Sequence, residues 1–159
     1  MKKIFLLTLV VGLLASCGVP KTVIQSKKVI KGDWTISDIS YSESGTFNTT
    51  LLNDASKECF ENSTWRFIPN NNTGIYSINN GNCATGDRYF AFTIQEIDAD
   101  TGYYDFLLKP TDEKGKSETN AGFRLRLSQL SDTNMQWQQT VNAGGSPLTI
   151  SMNFIKTVE

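Results

Sequence analysis

Few side chains in this sequence are suited to chemistry, and the missing types narrow the field first. None of the 159 residues is a histidine, which removes the commonest general base and the commonest metal ligand together. The three cysteines, Cys17, Cys59 and Cys83, fall one soft ligand short of a structural zinc site. There is no G-x-S-x-G, no glycine-rich phosphate loop and no carboxylate pair spaced for acid–base work; the acidic residues fall mostly in turns. Neither an enzyme nor a bound metal or cofactor is expected. Fifteen basic residues against sixteen acidic ones give a formal net charge of -1, so no basic excess exists to hold a nucleic acid.

The cysteines divide by context. Met1-Lys2-Lys3 precedes an apolar run from Ile4 to Leu14, a secretory leader too short to span a bilayer comfortably. The run ends in Leu14-Ala15-Ser16-Cys17-Gly18, which resembles the lipobox of bacterial lipoproteins. In that family the cysteine takes a diacylglyceryl group on sulfur, the leader is cut before it, and the new amine is acylated. The resemblance implies a leader over 1–16, a lipid on Cys17 and permanent membrane anchoring, at about 0.8 kcal/mol per buried methylene. The lysine-rich stretch 17–30 then reads as a short tether, with one domain over 31–159. The expected location is the bacterial cell envelope, at the outer membrane. The absence of an acidic residue just after Cys17 favours the periplasmic side. In an oxidising compartment Cys59 and Cys83 are expected to pair as a disulfide, closing a loop of roughly 25 residues and contributing roughly 3–4 kcal/mol.

The elements that must position everything else are strands. Residues 34–41, 64–69, 74–79, 87–97, 103–109, 121–130, 134–142 and 147–156 each alternate apolar and polar residues, and most are separated by hairpin-length polar links. Leu148, Ile150, Met152 and Phe154 share one face of the last strand, opposite Thr149, Ser151 and Asn153. Phe123, Leu125 and Leu127 alternate with Arg124, Arg126 and Ser128 in the same way, which assigns the arginines to a solvated outer face. Eight sequential strands with one buried face predict an all-β fold, an antiparallel up-and-down barrel whose closure removes both edges. The segment 54–60 interrupts the pattern and is expected to form a short helical, lid-like piece capped by Asp54. Asp98, Asp100 and Gly102 read as a hairpin turn.

At the start of the first strand, Gly32-Asp33-Trp34 resembles the G-x-W signature of lipocalins, in which the tryptophan plugs the closed end of an eight-stranded barrel. Cys59 to Phe67, followed by Asn70-Asn71-Asn72-Thr73-Gly74-Ile75-Tyr76, is similar to the lipocalin-like lipoproteins of Bacteroidetes. The resemblance spans about 31–156 and implies a fold rather than a cargo. The arginine that many lipocalins pack over the tryptophan is absent, and Lys156 is a loose substitute. The expected function is binding of a small hydrophobic or amphipathic molecule in the barrel cup, with Phe90, Phe92, Phe106, Phe123 and Trp137 as candidate lining residues and Trp34 as the base plug. The same aromatic side chains could instead fill the barrel. The chain would then be an interaction or structural module for an envelope protein partner.

Overall fold

In the computed structural model, which describes residues 19–98 and 103–157, alternation becomes architecture. The leader, Cys17 and the turn at 99–102 lie outside the described residues. Eight strands form the wall: β1 (Gly32–Tyr41), β4 (Thr64–Ile68), β5 (Thr73–Ile78), β6 (Gly86–Asp98), β7 (Tyr103–Thr111), β8 (Phe123–Leu130), β9 (Asn134–Ala143) and β10 (Ser146–Lys156). Each has one apolar face to bury, and a meander of antiparallel hairpins lets all eight bury it together. The first and last strands then pair, from Trp34 against Lys156 to Tyr41 against Ile150, and close the barrel. A bulge between Ile36 and Asp38 interrupts that register. The all-β, eight-stranded up-and-down barrel expected from the alternation is the fold observed.

Register also defines two ends. At the base, β1 begins, β10 ends, and the turns after β4 and β8 lie; at the opposite end, the mouth, lie the long links after β1, β5 and β7. Part of the stretch read as a tether, Lys21–Ile30, is a helix, α1, lying across the base. Its N-cap, Pro20, supplies no side-chain hydrogen bond, and only Val23 and Ile30 are buried. So short a helix is marginal alone and depends on the barrel beneath it. Thr22 donates to a Glu96 carboxylate oxygen, Lys27 Nζ donates to Asn72 Oδ1 at 2.6 Å, and Lys156 Nζ donates to the Val29 carbonyl at 2.7 Å.

Trp34 is fully buried under α1, its Nε1 donating to the Ile30 carbonyl at 2.8 Å. The Lys156 ammonium lies 5.1 Å from the centre of its ring, close enough for a cation–π contact. Lysine thus takes the place where arginine was missed in the sequence.

The short helical piece expected over 54–60 is present as a single turn, with Ser56 rather than Asp54 at its N-cap, and a miniature hairpin precedes it. Residues Thr50–Leu51 (β2) and Ala55–Ser56 (β3) pair as a miniature hairpin, followed by one helical turn, α2 (Lys57–Phe60). Cys59 and Cys83 are joined, with Cα atoms 5.8 Å apart, tying α2 to the link after β5.

Candidate functional site

The candidate lining residues were chosen for their inward phase, and four of the five point inward and meet one another. Phe90, Phe92, Phe106 and Trp137 are each 2% exposed or less. Phe92 stacks on Phe106 at 5.1 Å and Phe106 on Trp137 at 4.5 Å, while Trp137 lies 4.7 Å from Phe154. Trp65 stacks on Tyr76 at 4.4 Å and meets Trp137 edge-on at 5.4 Å. The rings occupy the space that a deep ligand would need, at separations where aromatic pairs attract beyond simple burial. Trp137 Nε1 is, among the described residues, the one buried side-chain nitrogen or oxygen without a hydrogen-bond partner. It is surrounded by rings rather than acceptors.

The fifth residue, Phe123, stands elsewhere. It is half-buried at the mouth, on the wall of an open hollow of about 430 Å³ that Leu52, Asp54, Tyr76, Arg88 and Pro110 also line. The chain builds this hollow in three steps. Leu51, Leu52 and Phe60 turn down from the β2–β3–α2 segment and bury themselves in the barrel top. The disulfide and a hydrogen bond from Asn80 Nδ2 to the Glu58 carbonyl, at 3.1 Å, hold that segment over β4 and β5. The other half of the mouth, beside β6, β7 and β8, is left open.

One polar cluster edges the opening. Asp54 Oδ2 accepts from the Tyr76 hydroxyl at 2.9 Å and from Arg88 Nε at 2.9 Å. The other guanidinium nitrogens donate to the Gly86 and Ala84 carbonyls at 2.7 and 2.6 Å. The arginine is therefore held in place rather than swinging freely. Burial, and then the adjacent Asp54 charge, push the Tyr76 phenol well above its ordinary range. On α2, a hydrogen bond from Ser56 draws the Glu58 carboxyl below its ordinary value. Among the described residues no group of three or more acidic, histidine or cysteine side chains converges to hold a metal. The arrangement offers an apolar wall, one fixed cation already paired, and a phenol that stays protonated. It is suited to holding a small molecule.

Leu52, Asp54, Tyr76 and Arg88 were not singled out as ligand residues from the sequence, although a signal was present. Arg88 lies in phase with Phe90 and Phe92, so a charge occupies the inward face of a strand, where only a partner makes it tolerable. The two arginines assigned to the outer face, Arg124 and Arg126, are exposed; Arg124 pairs at 3.2 Å with Asp105, which is buried beneath it.

No protein-family model matches the sequence, and no curated protein matches it significantly. Solved structures do resemble it. A lipocalin-like protein from Bacteroides uniformis superposes with a TM-score of 0.50 over 81% of this chain and 99% of that one, at 7% identity. The fold is lipocalin-like. Bovine odorant-binding protein bound to a selenium-containing odorant superposes at a TM-score of 0.44 and 12% identity, over 91% of this chain and 78% of that one. At such identities the lipocalin-like likeness concerns the backbone path, and the contents of the barrel belong to this sequence alone.

Proposed function

We propose that this chain is an envelope lipoprotein, anchored through Cys17 to the periplasmic side of a bacterial outer membrane, that binds a small apolar or amphipathic molecule at the mouth of its barrel. The open hollow walled by Leu52, Tyr76, Pro110 and Phe123 carries this reading. Its size suits a small ligand, and the aromatic interior beneath it forms a rigid floor rather than a deep cup. The Asp54–Arg88 pair at the edge would meet a polar headgroup while the apolar part lies against Phe123. No catalytic step is assigned.

Native mass spectrometry tests this on a soluble form beginning at Gly18 and purified gently from its own host. We expect an added mass of a few hundred daltons, lost on denaturation. Phe123→Ala should reduce the loaded fraction about tenfold, the loss of one aromatic contact with the ligand, without lowering the unfolding midpoint comparably. A bare mass that stays bare after incubation with an envelope lipid extract would refute it.

A second reading, an interaction module, has its own observation. An outer-wall groove of about 460 Å³ runs over Ala91, Thr93, Leu107, Lys109, Gly122 and Arg124, on the faces of β6 to β8 that point away from the core. Cross-linking at Leu107 to a single envelope protein, together with a bare mass, would favour it.

A further inference from the structure

We propose that the base of the barrel is a membrane-docking face: α1 lies on the surface of an anionic phospholipid bilayer, and the mouth points away from it. The proposal rests on the reading of Cys17 as the anchor, and the structure adds an orientation to it.

On α1, Lys21, Ile24, Gln25 and Lys28 are exposed, opposite the buried Val23 and Ile30. Their spacing of three, four and seven places them in one stripe. The helix carries no acidic residue, Lys31 follows it directly, and Lys21, Lys28 and Lys31 form no ion pair with the described residues. Of the acids close to it, Asp33 is paired with Arg66, and Glu96 accepts from Thr22 and keeps its charge. Two further acids belong to the base outside the helix, Asp132, exposed on the β8–β9 turn, and Asp98, the last residue of β6.

The apolar surface is concentrated at the same end. The large apolar side chains left exposed among the described residues are Val19, Ile24, Ile68 and Ile155, at 61, 46, 37 and 52%. Val19 precedes α1, Ile68 ends β4 beside a base turn, and Ile155 is the penultimate residue of β10. None is at the mouth. Lysines beside scattered apolar side chains are the composition that interfacial segments use on anionic lipid.

Chain length supplies the occupant. Four residue steps separate Cys17 from Lys21, a reach of at most about 14 Å at full extension. A lipidated Cys17 therefore holds α1 close to the headgroups, and positive charge near an anionic surface is attracted within that distance at moderate salt.

The test must not depend on lipidation. The form beginning at Gly18 retains α1, all eight wall strands and the disulfide, so it keeps every contact described here. With an N-terminal hexahistidine it can be held on vesicles of phosphatidylcholine and a nickel-chelating lipid, with or without about one third phosphatidylglycerol. A water-soluble amine reagent then reports each lysine by mass spectrometry. We expect Lys21, Lys28 and Lys31 to be protected at least about threefold on anionic vesicles, and the protection to vanish in high salt. Lys114 and Lys116, on the mouth loop after β7, should react equally on both vesicles. Ile24→Asn combined with Lys28→Glu should abolish protection of Lys21 and Lys31 while leaving the circular dichroism unchanged. Uniform reactivity, or protection of Lys114 and Lys116 instead, overturns the proposal. An unacylated Cys17 peptide from the full chain would refute the anchor reading separately, without altering this result.

Discussion

Tyr76 has two roles that few positions combine. Its ring stacks on Trp65 at the top of the core, and its hydroxyl donates to Asp54 at the edge of the mouth. Because burial and the Asp54 charge raise its proton affinity in the folded state, the neutral phenol contributes stability that is complete below the unfolded value of about pH 10 and is lost as the pH rises above it. The urea midpoint should fall steeply between pH 10 and 12, and Tyr76→Phe should flatten that limb, as denaturation followed by circular dichroism will show. Gly74 constrains the same region by having no side chain. A Cβ there would stand 2.7 Å from the Arg66 carbonyl oxygen and collide with the Phe90 ring, so the close approach of β4, β5 and Phe90 needs glycine. The sequence shows Gly74 as part of a G-x-Y strand, but the neighbour it makes room for lies 16 residues away on β6.

The segment from β2 to α2 shows why some elements are readable and others are not. The wall strands carry their own instruction, since period-two alternation persists for five or more residues in each. The lid has two-residue strands and a four-residue helix, too short for any periodicity. It is stable because Leu51, Leu52 and Phe60 find the barrel top and because Cys59 is bonded to Cys83. Replacing both cysteines by serine should lower the unfolding free energy by about 3 kcal/mol, since the bridge closes a loop of some 25 residues. Hydrogen exchange should quicken first over 50–60, with β9 and β10 still protected. Helix α1 was likewise not expected, because Val23 and Ile30 alone form its buried stripe and its lysines suggest a solvated tether until a surface is present for it to cover.

For the whole molecule, the decisive feature is that the barrel is filled. Trp65, Phe67, Phe90, Phe92, Phe106, Trp137 and Phe154 come from β4, β6, β7, β9 and β10, so the core belongs to no single hairpin and is completed only when the barrel closes. Far- and near-ultraviolet circular dichroism should therefore lose signal in one coincident transition. Phe106→Ala, at the centre of the lattice, should move both probes together and cost about 3–5 kcal/mol. Two separated transitions would show that part of the wall is stable without the rings. The lattice fills the barrel centre, and α1 covers the base, so the mouth is the end of the barrel that stays open.

Alternation, hairpin-length links and the need to remove sheet edges determined the eight-stranded barrel, because those are local patterns with one economical closure. The disulfide partners followed from an even pair of cysteines behind a segment read as an export signal. Whether inward rings would line a cup or fill it was left to the tertiary structure, because alternation gives the direction of a side chain and not its distance from the one opposite. The same limit applies to Arg88, Asp54 and Tyr76, which are brought together only by barrel register, and to Lys156 over Trp34. Their contacts span separations of 12 to 122 residues, over which sequence spacing carries no information about distance.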